Sequence, residues 1–406
     1  MIKQMKRTKE LRLLAPEPER HAEAIYDLLA KVFHLKDYYF GRDWCREHYI
    51  GHSHYDWQAT RIGLFGEEIV THYGVWDYQM RIGGARVRTG GIGAVATSGD
   101  YRKLGLMAQT AQASIAAMRA RGYDFTLLFG IDNFYGKLGY VRAWPEITYT
   151  VNVADLPLDS PQVSPRLFTI RHRADLAELY NRTFATVTGT AVRPTYRRCF
   201  LTPLPKGMRW DHTDGTPAGY LIYRQDGARL KHVESVGDVD EVLRLLGMLA
   251  RRNGCQEVQF CDLPYTSPLC ARLRRGNCRA ETNYRRDGGP LICLLNLTQV
   301  LEKMAGELTD RLQASLLAGW KGNLRIAGAG QDAMLAITGG QVRIAPAAPT
   351  RHTVEGGNEI AQLLIGAAPP NEIVSSAGMR LTGDAARLLD VLFPAQHPVL
   401  LTLDRI

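Results

Sequence analysis

The sequence predicts an α/β protein, or more broadly an α+β protein, built from more than one domain. Residues 85–129 change from a strand to a helix and back to a strand, which is typical of a βαβ unit with parallel strands. Residues 168–287 again alternate between helices and strands, and a Gly339-Gly340 hairpin joins two later strands before three helical stretches. A chain of 406 residues exceeds one ordinary core, so two or three domains are expected.

The composition is that of an ordinary globular protein, with 45% hydrophobic and 22% charged residues. No apolar run is long enough to cross a bilayer, and no apolar segment follows the basic first residues, so we expect a cytoplasmic protein without membrane association. The seven cysteines are odd in number and form no CxxC pair. They are therefore expected to be reduced and buried, and no metal site is predicted.

The positive charge is spread along the chain. The formal net charge is +9, and the one local concentration of arginines lies between Arg272 and Arg286. No helix-turn-helix, zinc finger or RNA-recognition pattern accompanies these arginines. A solvated face or a subunit contact is therefore favoured over a nucleic-acid site.

Two breaks divide the sequence. Residues 155–165 are rich in Pro, Asp and Ser and are typical of a linker, and Asp287-Gly288-Gly289-Pro290 is predicted to be a second break. The predicted domains are accordingly residues 1–153, 154–289 and 290–406.

Aromatic residues concentrate between Phe33 and Trp57, with Trp44 and Tyr49 among them. Such residues either fill a core or form the wall of a substrate pocket. Nearby acidic residues either attract a cationic substrate or are ordinary solvated charges; they are Asp27, Asp37 and Asp43.

The stretch 91–109 carries the first chemical signal. The strand that leads into it contains three glycines, Gly90, Gly91 and Gly93. Glycine inside a strand marks a bulge or a close backbone approach. Arg102-x-x-Gly105 then falls where the strand gives way to a helix. Backbone N–H groups of such a turn and the positive end of the helix bind phosphates. The alternative is a plain turn before a helix.

Tyr135 lies one helix and one strand downstream of that turn. Because the carboxyl ends of two parallel strands frame one crevice, the turn and the tyrosine are expected to face each other. A phenol with an ordinary pKa of about 10 can protonate a leaving thiolate with a pKa of about 8.5. The alternative is a packed aromatic side chain with a satisfied hydroxyl.

These motifs, Arg102-x-x-Gly105 and Tyr135-Gly-x-x-Gly139-Tyr140, resemble those of the GNAT superfamily of N-acetyltransferases. The whole chain is similar to the three-domain Eis (enhanced intracellular survival) branch. That resemblance implies two tandem GNAT-like domains, followed by a sterol-carrier-protein-like α+β domain. The second domain is expected to lack the cofactor motif, since Ser235–Asp240 shows no comparable turn.

The resemblance also implies roles for individual residues. Backbone groups of Val95, Ala96 and Thr97 would bind the pantetheine arm of acetyl-CoA. The turn would bind its pyrophosphate through Arg102, Lys103, Gly105 and Met107, and Asn133 would be a further neighbour of the cofactor. Tyr135 would be the general acid, and the terminal carboxylate of Ile406 the base.

The predicted function is an acetyl-CoA-dependent N-acetyltransferase that acts on a primary amine of an aminoglycoside, a polyamine-like small molecule or a lysine. The acetyl group is expected to pass directly to the amine, because no cysteine falls inside the motif to form an acyl-enzyme. A backbone N–H near Thr97 would stabilise the oxyanion that forms during the transfer. A homohexamer is implied by the resemblance. The alternative is a non-catalytic acyl-CoA-binding or lipid-binding protein that uses the sterol-carrier-like domain.

Overall fold

The computed structural model describes residues 10–33, 38–51, 53–193 and 207–406, the side chains at 38–40, 132 and 170 excepted. Within these residues, three β-sheets pack against helices, which confirms the predicted mixed α/β class. Asp37, and Cys199 among the cysteines, lie outside the described residues. None of the helices in the described ranges has both the length and the apolar character needed to cross a membrane.

The first sheet has seven strands and contains the predicted meander. Its order is β1-β2-β3-β4-β5-β14-β6, with strands β1 (Arg12–Leu14), β2 (Arg61–Phe65), β3 (Glu68–Ile82), β4 (Ala85–Thr97), β5 (Phe125–Ile131), β6 (Val141–Arg142) and β14 (Asp287–Leu294). Its helices are α1 (Pro18–Val32), α2 (Tyr38–Trp44), a π-helical turn (Cys45–Tyr49), α3 (Leu106–Ala120) and α4 (Asp132–Tyr135). The βαβ unit is β4-α3-β5, and its two strands are parallel as predicted.

Residues 287–290, predicted to be a break, do not form a turn but begin β14. This strand lies antiparallel between β5 and β6, and the Pro290 carbonyl accepts the Ala143 N–H at 2.9 Å. Gly288 has a φ of +78°, and the register shifts there. Glycine and proline suggested a turn, but the apolar residues that follow, Leu291–Leu294, are all at most 2% exposed and cover the side of β5.

The second sheet also has seven strands, in the order β13-β7-β12-β11-β10-β9-β8. The new strands are β7 (Glu146–Asn152), β8 (Arg166–Leu167), β9 (Gly207–Asp211), β10 (Pro217–Asp226), β11 (Arg229–Val236), β12 (Glu257–Cys261) and β13 (Arg279–Asn283), with helices α5 (Arg173–Thr183), α6 (Val239–Arg252) and α7 (Pro268–Arg275). The Asp238 carboxylate caps α6 by accepting the Glu241 N–H at 3.0 Å. An acidic cap at this position disfavours a phosphate, in contrast to the glycine turn of the first sheet.

The third sheet has five strands in the order β17-β16-β15-β18-β19. They are β15 (Gly322–Gly328), β16 (Gln331–Thr338), β17 (Gln341–Ala345), β18 (Thr353–Glu355) and β19 (Arg380–Thr382), packed with α8 (Leu297–Gln313), α9 (Ile360–Leu364), α10 (Pro370–Ala377) and α11 (Ala385–Leu392). Met304 and Leu308 of α8 share one core with Met80 of the first sheet and with Leu388 and Leu389 of α11. The apolar residues of α9 and α11 are thus explained by ordinary core packing.

Candidate active site

The two parallel strands β4 and β5 separate at the site. They pair only where Thr89–Gly91 meets Phe125–Leu127, although β4 continues to Thr97 and β5 to Ile131. Ala94 has a φ of +51°, and the register with β3 shifts between His72 and Gly74. This β-bulge confirms the prediction made from the glycines of the strand and opens a wedge between β4 and β5.

His72 holds the bulge from behind. Its Nδ1 lies 2.7 Å from the Ala94 carbonyl oxygen, which can only accept, so Nδ1–H donates. Nε2 therefore accepts the Tyr55 hydroxyl at 2.6 Å. Complete burial lowers the pKa of His72 to about 4, so the ring is neutral at physiological pH. Sequence reasoning missed this residue, because a single histidine in a strand carries no pattern.

The turn after β4 has the geometry of an anion site. Lys103 and Gly105 have φ values of +63° and +77°, and Gly105 is the N-cap of α3 without a side-chain cap. Arg102 Nε lies 3.4 Å from the Thr97 carbonyl oxygen, so the guanidinium remains beside the strand end. The first-turn N–H groups of α3, together with Arg102 and Lys103, suit a pyrophosphate.

A pocket of about 1120 Å³ fills the wedge. It extends from the turn at residues 102–105, called the phosphate turn below, past the ends of β4 and β5 to α1 and the π-helical turn. Most of the predicted site residues line it, namely Val95, Thr97, Arg102, Lys103, Met107, Tyr135 and Ile406. Ala96 is 1% exposed, and its side chain packs in the core rather than lining the pocket. Asn133 lies in a neighbouring cavity with Lys137 and Arg286.

Tyr135 presents a free hydroxyl to the pocket. Its ring packs over Gly130, where a Cβ would lie 2.5 Å from the ring atom Cε2. Its hydroxyl has no hydrogen-bond partner among the described residues, whereas the Tyr140 hydroxyl is 3.0 Å from both the Tyr73 hydroxyl and Thr126 Oγ1. Burial raises the pKa of Tyr135 to about 12, so the phenol stays protonated at neutral pH.

Ile406 lies on the glycine-rich face of β4. A Cβ on Gly91 would collide with Ile406 Cδ1, and a Cβ on Gly93 would lie 2.7 Å from Ile406 Cγ2. The residue before it, Arg405, is held by Asp262 at 2.5 Å and by Glu146 at 2.9 Å. The structure therefore brings the last residue into the pocket that Tyr135 lines.

Part of the aromatic stretch forms the pocket wall opposite the phosphate turn. Trp44 and Tyr49 line the pocket and stack with ring centroids 4.7 Å apart. Tyr55 and Trp57 lie behind them and pack edge to face. Both sequence interpretations of this stretch, pocket wall and core, thus apply to different members.

Of the three acidic residues named from the sequence as candidates to attract a cation, the two that the structure describes are paired with arginines. Asp27 contacts Arg42 at 2.7 Å, and Asp43 contacts Arg46 at 2.6 Å. Asp37 lies outside the described residues.

One cysteine, Cys45, lines the pocket, which sequence reasoning did not foresee. Burial raises the pKa of its thiol to about 12. A thiol of that pKa supplies almost no thiolate at neutral pH, so it is poorly suited as a nucleophile. In the described ranges, no group of three or more His, Cys, Asp or Glu residues is arranged to hold a metal ion.

Comparison with known proteins agrees with this geometry. Residues 16–143 match the family described as Acetyltransferase (GNAT) domain. The matched residues include the opened β4–β5 pair, so this part of the chain is a GNAT acetyltransferase domain, a class that uses an acyl-CoA as co-substrate and acts on amine acceptors. No curated protein sequence matches the chain.

Solved structures share the fold over almost the whole chain. A GCN5-related N-acetyltransferase from Kribbella flavida has a TM-score of 0.76 at 20% identity, covering 99% of this chain and 100% of that one. One from Anabaena variabilis has a TM-score of 0.77 at 13% identity, covering 98% and 100%. Eis1 from Mycobacterium abscessus has a TM-score of 0.65 at 16% identity, covering 95% and 97%. The predicted likeness to the Eis branch is thus confirmed at the level of fold.

Proposed function

We propose that the protein transfers an acetyl group from acetyl-CoA directly to a primary amine, with Tyr135 as general acid and the Ile406 carboxylate as base. The observation that carries this proposal is that Tyr135 and Ile406 line the same pocket, at the point where β4 separates from β5. The acceptors proposed from the sequence are an aminoglycoside, a polyamine-like small molecule or a lysine.

Acetyl-CoA would bind along the opened edge of β4. Ser98 donates its N–H to Val70 of β3 at 2.9 Å. Because N–H groups alternate in direction along a strand, the Thr97 N–H is turned toward the wedge. Val95 and Thr97, whose backbone groups face the wedge on either side of Ala96, would then pair with the pantetheine arm like an added strand, and this edge would also stabilise the developing oxyanion. The pyrophosphate would lie on Arg102, Lys103, Gly105 and the turn beside Met107, with Asn133 near the outer end.

The two proton transfers would occur on opposite sides of the reacting carbonyl. The Ile406 carboxylate accepts the proton that the amine loses as the C–N bond forms, and Tyr135 gives its proton to the thiolate as the C–S bond breaks. The apolar surroundings that raise the pKa of Tyr135 also disfavour a thiolate anion, so the acid and the leaving group remain matched.

The three-part division into residues 1–153, 154–289 and 290–406 is part of this proposal. The first part would carry catalysis, the second would lack a phosphate turn, and the third, sterol-carrier-like part would bring the chain end to the pocket. By resemblance we propose a homohexamer, which sedimentation equilibrium tests directly.

The test of the acid is thiol release from acetyl-CoA with a panel of amines. Tyr135→Phe is expected to lower kcat by about 100-fold or more, because it removes the only proton that this side chain can donate. Tyr284→Phe, at a residue 61% exposed and outside the pocket, is the matched control. Tight binding of acetyl-CoA without thiol release from any amine would instead support a non-catalytic acyl-CoA-binding protein.

The test of the base moves the carboxylate without changing a side chain. One glycine added after Ile406 displaces the carboxylate by up to about 3.5 Å, the length of one extended residue. We expect kcat to fall while the affinity for acetyl-CoA stays the same. Unchanged kcat would remove the terminal carboxylate from the mechanism.

A further inference from the structure

Charge is distributed unevenly along the pocket. Among the described lining residues, the charged side chains are Arg102 and Lys103, both at the phosphate turn. No Asp or Glu side chain lines the pocket within the described part of the chain. If the terminus acts as proposed above, the Ile406 carboxylate is the single negative charge that the described lining residues bring to the acceptor end.

Three acidic residues on the helices behind this wall are already neutralised by arginines. Glu23 of α1 contacts Arg42 and Arg46, each at 2.7 Å, and these two arginines hold the pKa of its carboxyl below the usual value. Together with the Asp27 and Asp43 pairs described above, this lattice of ion pairs leaves little negative field to attract a polycation.

The acceptor end of the pocket has an apolar wall rich in aromatic rings. Its wall consists of Leu29, Val32, Phe33, Trp44, Cys45 and Tyr49. The Tyr49 ring contacts two other rings, Trp44 at an inclination of 20° and Trp76 at 42°, each with its centroid 4.7 Å away. Trp76 Nε1 donates to the Tyr49 carbonyl at 2.9 Å, so the wall is held in place before any ligand binds.

This wall lies directly beside the chain end. A Cβ on Gly93 would collide with the Tyr49 hydroxyl and would lie 2.7 Å from Ile406 Cγ2. A ligand whose amine approaches the Ile406 carboxylate therefore has its remaining atoms within reach of the aromatic rings.

We propose that the acceptor is a monoamine whose body is a planar aromatic group, with the ring against the Trp44–Tyr49 wall and the amine toward Ile406. This inference rests on the proposed acetyl transfer to a primary amine and replaces the acceptors named there with one chemical class. Aromatic rings pack favourably against Trp and Tyr side chains in stacked or edge-to-face geometry, and the amine contributes one charge to one carboxylate. A polyamine or aminoglycoside would bring further ammonium groups against apolar side chains, where each loses hydration without gaining a partner.

The experiment compares kcat/KM for 2-phenylethylamine, spermidine and a deoxystreptamine aminoglycoside under the same acetyl-CoA concentration. We expect kcat/KM for 2-phenylethylamine to exceed that for either polycation by about tenfold or more, the scale of one well-packed aromatic contact. An equal or higher value for either polycation overturns the proposal. A preference for long-chain acyl-CoA over acetyl-CoA also overturns it, since the wall would then hold the acyl chain.

Two variants test the wall itself. Trp44→Leu is expected to lower kcat/KM for 2-phenylethylamine by about tenfold and to leave the KM for acetyl-CoA within about twofold. Phe33→Glu places a carboxylate at a rim position that is 50% exposed. It should raise the ratio of kcat/KM for spermidine to kcat/KM for 2-phenylethylamine by about tenfold. Leu158→Glu, at a residue 80% exposed and outside the pocket, is the control for the added charge. A ratio that does not change in Phe33→Glu contradicts the assignment.

Direct binding separates this inference from the proposed chemistry. Calorimetric titration of the protein saturated with CoA, which carries no acetyl group to transfer, measures acceptor affinity without turnover. Tighter binding of 2-phenylethylamine than of spermidine supports the aromatic site even if the intact protein releases no thiol. Thiol release with polycations alone supports acetyl transfer and overturns the aromatic site.

Discussion

Arg193 and Asp404 form a buried ion pair two residues before the end of the chain. Arg193 Nε lies 2.7 Å from Asp404 Oδ1, and the two side chains are at most 1% exposed. Arg193 also binds Glu234 at 2.7 and 2.6 Å through its two terminal nitrogens, and the Tyr180 hydroxyl donates to Asp404 at 3.0 Å. The second sheet thus sets the position from which Ile406 enters the pocket of the first.

Removal of the Asp404 carboxylate tests this connection. Asp404→Ala should destabilise the protein by about 3 kcal/mol, because it breaks a buried charge network. It should also lower kcat with little effect on the KM for acetyl-CoA, since the phosphate turn lies at the other end of the pocket. Urea unfolding and steady-state kinetics measure the two effects. Asp332→Ala, which breaks an exposed pair with Arg325, is the control and should cost less than about 1 kcal/mol.

Gly93 is predicted to accept no side chain. Gly93→Ala places a methyl group against the Tyr49 hydroxyl and Ile406 Cγ2, so the wall and the chain end must both move. We expect kcat to fall by about tenfold and stability to fall by about 1–3 kcal/mol. Gly99→Ala adds the same methyl group where nothing lies within 4 Å. Similar kinetics for the two variants would show that the glycine is not needed for close approach.

The charge and the backbone strain at Lys103 can be separated. Lys103→Gly removes the ammonium group but suits the φ of +63° better than lysine does. We expect the KM for acetyl-CoA to rise by about fivefold to tenfold while the thermal midpoint stays the same or rises slightly. Lys103→Ala removes the same charge without relieving the strain. A KM that is unchanged in both variants would argue against a phosphate contact at this position.

His72 predicts a loss of stability in mild acid. Its pKa is about 4 in the folded protein and ordinarily about 6.5, so the unfolded chain binds the extra proton between those values. The stability from the neutral ring is complete above pH 6.5 and declines as the pH falls toward 4, by up to about 3 kcal/mol at about 1.4 kcal/mol per pKa unit.

The difference between the wild type and His72→Gln isolates this contribution, because buried His232, with a pKa of about 3, titrates in both proteins. Urea unfolding at pH 7, 5.5 and 4.5 should show a smaller decline for the variant. Equal pH dependence of the two unfolding free energies would contradict the burial of a neutral His72.

The sequence predicted most elements of the fold, because their signals are local. The βαβ unit was visible in the change of period near Gly105, and the bulge was indicated by three glycines in one strand. The position of β14 was not predictable, since Asp287–Pro290 carries turn residues and its partner β5 lies far away in the sequence. The same reason explains why His72, Cys45 and the Arg193–Asp404 pair were missed: each acquires its role only from residues distant along the chain.

The insertion of β14 between β5 and β6 has a consequence for biosynthesis. On the ribosome, the glycine turn and Tyr135 emerge long before residues 287–294, by roughly ten to thirty seconds at usual translation rates. During that interval one edge of β5 is open to any other extended chain. Both edges of β7 are also unpaired, because its neighbours β12 and β13 have not yet been synthesised. An N-terminal fragment ending near residue 153 should therefore associate through the bare edge of β5, and a synthetic peptide of residues 285–296 should suppress that association.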